Sequence, residues 1–310
     1  MSGSMPNIGP EIQVACAIIE SAGRILLTQR HQDAHQGGLW EFPGGKFEGD
    51  ESPTECLARE LDEELGITPL ETRYVCQIPW QYGEKRVRLW VYEVLKFSGT
   101  PESREGQPVD WVASTELTTR QFPAANAAIV RSIGLPRVAR FLMDPSEDSA
   151  AWAARFERPS LLYFRHQPPS KSLERGVEIA LKQGHRVILT LDQWPCFRPG
   201  CGLHVRQKDS VDDANRARLA VDSVYPLTAG MRCIEDWTGR AEWPADAWFI
   251  SPVKPTASHA EMSPLGWSVF QSLAMQTGRP CYALGGLHPD DLNRAIDSMG
   301  YGVAGIRGFQ

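Results

Sequence analysis

Downstream of Gly134, eight short apolar runs alternate with helical stretches, and no other feature restricts so tightly what this 310-residue chain can fold into. The runs are 138–143, 161–164, 187–191, 203–205, 224–227, 248–253, 281–284 and 303–306. A strand, a helix and a second strand pack back on themselves through a right-handed crossover and build a parallel sheet, so eight such units predict a closed, compact (β/α)8 barrel. Residues 135–310 are a tight fit for that architecture, which typically takes roughly 250 residues, so several helices must be short or irregular. The stretch 228–244 reads as one such weak helix.

The preceding residues follow another pattern. Residues 12–30 read as strand, turn, strand; 73–80 and 86–95 are rich in Val, Tyr and Trp, with 82–84 as a hairpin loop; 53–65 and 123–133 read as helices. The chain is therefore expected to be α/β with two domains, 5–134 and 135–310, each long enough to bury a core and joined by a short linker at Gly134-Leu135-Pro136. Met-Ser-Gly-Ser before Met5 has neither the charged nor the apolar region of a secretion signal, reads as an engineered scar and is left out of the fold. A balance of 32 basic and 38 acidic residues, net charge −6, argues against long nucleic acid or an anionic membrane as partner and favours a small molecule. Seven cysteines without paired spacing, in a chain lacking a membrane-length apolar run, fit a reducing, cytoplasmic setting.

The helix at 53–65 carries the chemistry. Ser52 is its expected N-cap, Pro53 its first residue, Glu55 the partner that closes a capping box, and Gly66 its end. Glu60, Glu63 and Glu64 share a face, at i, i+3 and i+4, beside the apolar row Leu57, Leu61 and Leu65. Like charges at this spacing repel unless a cation lies among them. Oxygen-only ligands suit magnesium or manganese, which retain sites for water and phosphate oxygens.

Gly45, Glu51, Arg59, Glu60, Leu61, Glu63, Glu64, Gly66 and Ile67 together match every fixed position of a 23-residue pattern, the Nudix box, and the chain is identified on them as resembling Nudix hydrolases. The resemblance implies an α/β/α sandwich with a mixed sheet and a pyrophosphohydrolase activity. It further implies Glu60, Glu63 and Glu64 as metal ligands, the Gly45 carbonyl as another, and a Glu51–Arg59 pair that shapes the loop. Asp33-Ala34-His35, the run 41–46, Leu89-Trp90, Glu105-Gly106-Gln107-Pro108 and 122–126 extend the likeness, in order, to the MutT type, which clears oxidised guanine nucleotides. On that likeness Arg30, His35, Phe42, Lys85 and Asn126 contact the nucleotide, and Glu105 completes the metal shell or acts as general base. An Asn amide offers one acceptor and one donor; oxidation at C8 makes guanine N7 a donor beside the O6 acceptor, so a fixed Asn126 can satisfy both. The competing roles are a helix-start Asn bonding its own backbone, an exposed Arg30 and a solvated Glu105.

Residues 135–309 resemble thiamine phosphate synthase through 202–209, 251–253, 256–258, 283–287 and 302–306. The resemblance implies a phosphate or metal site from Arg165, Asp192, Asp209, Thr256, Ser258, Gly285, Gly286 and Arg307, with the two aspartates holding magnesium. The chain departs from that family after Arg165, where His166 and Gln167 follow instead of a nearby lysine, at His259 and at Arg307. Those losses favour a phosphate-binding, regulatory or structural barrel over a working synthase. A first domain acting on 8-oxo-dGTP and one acting on a thiamine-related diphosphate both remain open from sequence.

Overall fold

The computed structural model describes residues 10–206, 208–220, 225–256 and 262–309. They divide into two compact units, one ending at Val130 and one beginning at Arg131. No helix is long and apolar enough to cross a membrane, among the described residues.

The first unit holds strands β1 (Ile12–Ser21), β2 (Arg24–Gln29), β3 (Trp40–Glu41), β4 (Thr68–Tyr82), β5 (Lys85–Ser98) and β6 (Val109–Ala113) with helix α1 (Pro53–Leu65). The sheet runs β3-β2-β1-β5-β4, with β6 also on β2. It is mixed, as the resemblance implies: β1 and β5 are parallel, the other pairs antiparallel. Ala15, Ala17 and Ile19, two residues apart, present one face of β1 to Leu57, Leu61 and Leu65, four apart on α1, and all six are fully buried. Small alanines let the helix lie close, and each buried leucine contributes about 1.5–3 kcal/mol. α1 is thereby fixed in rotation about its axis, which decides where its glutamates point.

The β4–β5 hairpin extends beyond the Val/Tyr/Trp-rich stretches, from Thr68 to Ser98, because cross-strand pairs such as Glu71 with Lys96 and Pro69 with Phe97 continue the ladder outward. Helix α2 (Asn126–Ser132) begins three residues later than expected at 123. The Ala125 N–H donates to the Tyr82 hydroxyl and the Asn126 N–H to the Pro123 carbonyl, so the two alanines belong to a turn.

In the second unit β7 (Val138–Leu142), β8 (Leu161–Phe164), β9 (Arg186–Leu189), β10 (Cys201–Val205), β11 (Leu227–Met231), β12 (Ala247–Ile250), β13 (Cys281–Leu284) and β14 (Gly302–Gly305) close into a barrel in chain order. All its pairings are parallel, as the alternation predicts. The lumen is filled. Phe141 of β7 meets Phe249 of β12 at 5.1 Å, and Tyr163 of β8 meets His204 of β10 at 4.8 Å, contacts between non-neighbouring strands that must cross the interior. Around the barrel, α4 (Lys171–Lys182), α5 (Val211–Ala220) and α7 (Gly266–Thr277) are of ordinary length. Helices α3 (Ser149–Ala153), α6 (Ile234–Thr238) and α8 (Leu292–Asp297) have only five or six residues, and a 3-10 turn, Leu191–Cys196, follows β9.

The reading of 228–244 as a helix is wrong at its start: residues 228–231 belong to β11, and only α6 is helical. Ala229 and Gly230 carry little strand propensity, but pairing with β10 and β12 buries Leu227, Thr228 and Ala229 completely, and tertiary packing overrides local preference. Val224, expected in the same strand, lies outside the described residues.

Candidate active site

The site is built where α1, the loop before it and β1 meet. The Ser52 side chain accepts from the Glu55 N–H at 3.3 Å and the Glu55 carboxylate accepts from the Ser52 N–H at 2.7 Å, which completes the expected capping box. Gly66 closes the helix in the left-handed conformation. The loop is tied to β1 by the Ala15 and Ala17 N–H groups, which donate to the Gly45 and Pro43 carbonyls. Gly44 has φ +135°, and a Cβ there would lie 2.1 Å from the Ala15 oxygen; a Cβ on Gly45 would lie 2.2 Å from the Glu60 carboxylate. The pair of glycines is thus a steric requirement: backbone passes where side chains would strike β1 and α1.

Arg59 organises the acidic face. It donates to Glu51 at 2.8 Å, to Glu60 at 3.0 Å, to Glu63 at 3.1 Å and to the Lys46 carbonyl at 2.9 Å. Its guanidinium holds the Glu51 carboxyl down at about 2. Glu60 and Glu64 line a cavity of about 670 Å³; Glu63 is more exposed and turned to Arg59. The Glu64 carboxylate accepts from the Gly44 N–H at 3.2 Å, yet burial first, then Glu41, Glu60 and Glu105, push it up to about 8. Glu60 is raised by burial too, and further by Glu63 and Glu105, against the pull of Arg59. Crowded, partly desolvated carboxylates that resist ionisation are what a divalent cation would relieve. Among the described residues no three His, Cys, Asp or Glu side chains converge on a finished ion cage, and Arg59 pairs with both Glu60 and Glu63. The oxygen-only set of Glu60, Glu64, the adjacent Gly45 and nearby Glu63 and Glu105 fits magnesium or manganese in kind.

The same cavity gathers Arg30, His35, Phe42, Lys85 and Asn126. Phe42 is buried and stacks on Phe122 at 5.8 Å; its N–H donates to Asn126 Oδ1 at 3.4 Å. Asn126 is 7% exposed, and no other hydrogen bond to its side chain forms among the described residues. His35 stands edge-on to Tyr82 at 5.7 Å. Arg30 pairs with Glu41 and donates to the His35 carbonyl at 2.9 Å. Glu105 is exposed and outside the cavity lining, close enough to Glu60 and Glu64 to act on both. Among the cavity residues that the sequence reading did not assign to the site are Glu41, whose carboxyl burial raises despite Arg30, and Tyr82. Glu41 ends β3 and faces Arg30, and Phe42, just beyond the strand, joins the aromatic stack.

Residues 14–132 match the family profile described as NUDIX domain, and residues 198–309 the profile described as Thiamine monophosphate synthase. An 8-oxo-dGTP diphosphatase of Escherichia coli (strain K12) is 35% identical over 124 residues, 40% of this chain and 96% of that protein. The chain belongs to the Nudix family. A CTP pyrophosphohydrolase of the same organism is 42% identical over 118 residues, 38% of this chain and 86% of that protein. An 8-oxo-dGTP diphosphatase of Haemophilus influenzae (strain ATCC 51907 / DSM 11121 / KW20 / Rd) is 39% identical over 123 residues, 39% of this chain and 90% of that protein. A solved structure of MutT, from work on Aliivibrio salmonicida and Vibrio cholerae, shares 35% identity and covers 39% of this chain and 95% of its own, with a TM-score of 0.35. The first unit is accordingly a Nudix pyrophosphohydrolase, and the second is a barrel similar to thiamine phosphate synthase.

The site inferred for the barrel is not assembled as expected. Asp192 and Asp209 are brought together, but around the Arg206 guanidinium, which donates to Asp192 at 3.0 Å and to Asp209 at 3.2 Å. A cation already spans the pair expected to hold magnesium. Gly285 and Gly286 pack on the 252–255 segment: added Cβ atoms would lie 2.8 Å from Pro252 and 2.3 Å from the Pro255 carbonyl. Close packing therefore explains both glycines without a bound anion. Arg165 directly follows β8 and Arg307 is exposed in the last turn; Thr256 is partly buried, and Ser258 lies outside the described residues.

Proposed function

We propose that the first unit hydrolyses 8-oxo-dGTP to 8-oxo-dGMP and pyrophosphate with magnesium or manganese, removing a mutagenic nucleotide from the pool in a cytoplasmic setting. The observation that carries this reading is that one cavity is lined both by the half-satisfied Asn126 amide with Phe42, whose N–H it accepts, and by Glu60, Glu64 and the Gly44-Gly45 backbone.

Asn126 can accept from N7–H and donate to O6 of the oxidised base, whereas ordinary guanine would set acceptor against acceptor in a buried site, a mismatch that costs about 1–3 kcal/mol. Arg30 and Lys85 place positive charge where the sugar and phosphates must pass. Glu60, Glu64 and the Gly45 carbonyl would hold the divalent metal, which would supply charge neutralisation at phosphorus and a more acidic water. Of the carboxylates at the site, Glu64, once ionised, and the nearby Glu105 are the candidates to take the proton of the attacking water.

The 42% identity to a CTP pyrophosphohydrolase favours a cytidine triphosphate as the rival substrate. Pyrophosphate release from 8-oxo-dGTP, dGTP and CTP, compared for the parent, Asn126→Ala and Glu64→Gln proteins, separates the two. The expected result is strong preference for 8-oxo-dGTP that collapses in Asn126→Ala, and turnover lowered roughly 10²–10⁴-fold in Glu64→Gln. Preference for CTP that Asn126→Ala leaves intact sinks the oxidised-guanine reading while leaving the chemistry in place.

A further inference from the structure

A second cavity, of about 80 Å³, opens at the C-terminal ends of the barrel strands, the face on which barrels of this kind build their sites. Three arginines line it, each the residue just after a strand: Arg165 after β8, Arg206 after β10 and Arg232 after β11. Arg206 is engaged by Asp192 and Asp209, which line a separate groove and leave the cavity itself free of carboxylates. The side chains of Arg165 and Arg232 form no ion pair among the described residues.

The floor adds a second, independent signal. Tyr163 is 1% exposed and lines the cavity, and its hydroxyl has no hydrogen-bond partner among the described residues. A buried hydroxyl left unpaired costs about 1–3 kcal/mol, so it marks a place where an acceptor belongs. Beside it His204 bonds Thr228 at 2.9 Å and is pushed down to about 3 by burial, then by Arg165 and Arg206. The imidazole stays neutral chiefly because it is buried, so the cavity floor adds no charge of its own. At 80 Å³ the space falls well below the roughly 300 Å³ of a site for a whole small molecule, and suits a single anionic group.

We propose that the barrel mouth binds a tetrahedral oxyanion of phosphate size without a divalent metal, gripped by Arg165 and Arg232 with Tyr163 as hydroxyl donor, the Arg206 guanidinium permanently replacing the cation between Asp192 and Asp209. The shared chemistry is a phosphate group, free or at the end of an organic ester. Paired guanidinium donors match its oxygens, and a hydroxyl donor completes the shell.

Calorimetric titration of the full chain with inorganic phosphate in excess chelator tests this, because chelation removes metal-dependent phosphate binding at the Nudix site. One equivalent should bind, unaffected by Glu64→Gln, at least tenfold more weakly in Arg165→Gln and in Arg232→Gln, and more weakly in the isosteric Tyr163→Phe. Both arginines are partly exposed at strand ends, so their replacement spares the core. Methyl phosphate binding as well as inorganic phosphate identifies an ester terminus as the source; its exclusion identifies free phosphate. No saturable binding without metal, or equal binding by the two arginine variants, overturns the site. Arg206→Gly should add one equivalent of Mn²⁺ binding over the parent, and an unchanged Mn²⁺ stoichiometry overturns the guanidinium-for-metal assignment.

Discussion

At the scale of single residues, the first unit depends on charges that burial makes expensive. Glu64, held up at about 8 with no cation beside it, must lose its proton to ligate a metal, so Mn²⁺ affinity should fall as pH drops below 8. Titrations at pH 6.5 and 8.5 should show tighter binding at the higher pH, with proton release that disappears in Glu64→Gln. His204 makes the opposite kind of statement in the barrel. Its folded value of about 3 lies below that of an unfolded histidine, near 6.5, so between these limits the unfolded chain binds the extra proton and stability falls as pH falls. Replacing it with Asn should flatten the pH dependence of thermal stability over that window, by up to about 1.4 kcal/mol per pH unit. Parallel curves for the two proteins would mean that the imidazole titrates normally in the fold.

At the scale of elements, α1 is a rigid carrier whose cap, apolar row and acidic face are separable. Ser52→Ala removes the side-chain cap and should destabilise by about 1 kcal/mol with little effect on turnover once folded. Leu61→Ala opens a hole between α1 and β1 and should cost about 2–5 kcal/mol. Gly45→Ala belongs to another class. Its Cβ would meet the Glu60 carboxylate at 2.2 Å, so the loop or the carboxylate must move. Hydrolysis should fall far more than the melting temperature, and a variant with normal turnover would show that the close approach of loop and helix is dispensable.

At the scale of the whole molecule, the two units hold separate sheets, one mixed and one a closed parallel barrel. A relative of which 124 matched residues make up 96% shows that a Nudix unit of this size exists as a protein by itself. A fragment ending at Gly134 should therefore retain pyrophosphate release with kcat and KM near those of the full chain. Loss of activity in a fragment that still melts cooperatively would show that the barrel supports catalysis.

The sequence by itself determined the elements whose signals are local: the α1 cap and its acidic face, four of the first unit's strands though not β3 or β6, and the barrel, whose alternation of units leaves few other closures. The Glu51–Arg59 pair came from the Nudix resemblance rather than from spacing, and the fold contains it. Only the tertiary structure decided matters that turn on which distant groups become neighbours. β11 is a strand because β10 and β12 bury it, against its own propensity. Glu63 is exposed where Glu60 and Glu64 are half-buried, and Arg59 holds both Glu60 and Glu63 while Glu64 accepts from the Gly44 N–H, an assignment of partners that depends on how the loop and α1 meet. Asp192 and Asp209 meet, but Arg206 lies between them, and no local rule says which of three neighbouring charges a folded loop will place in the middle.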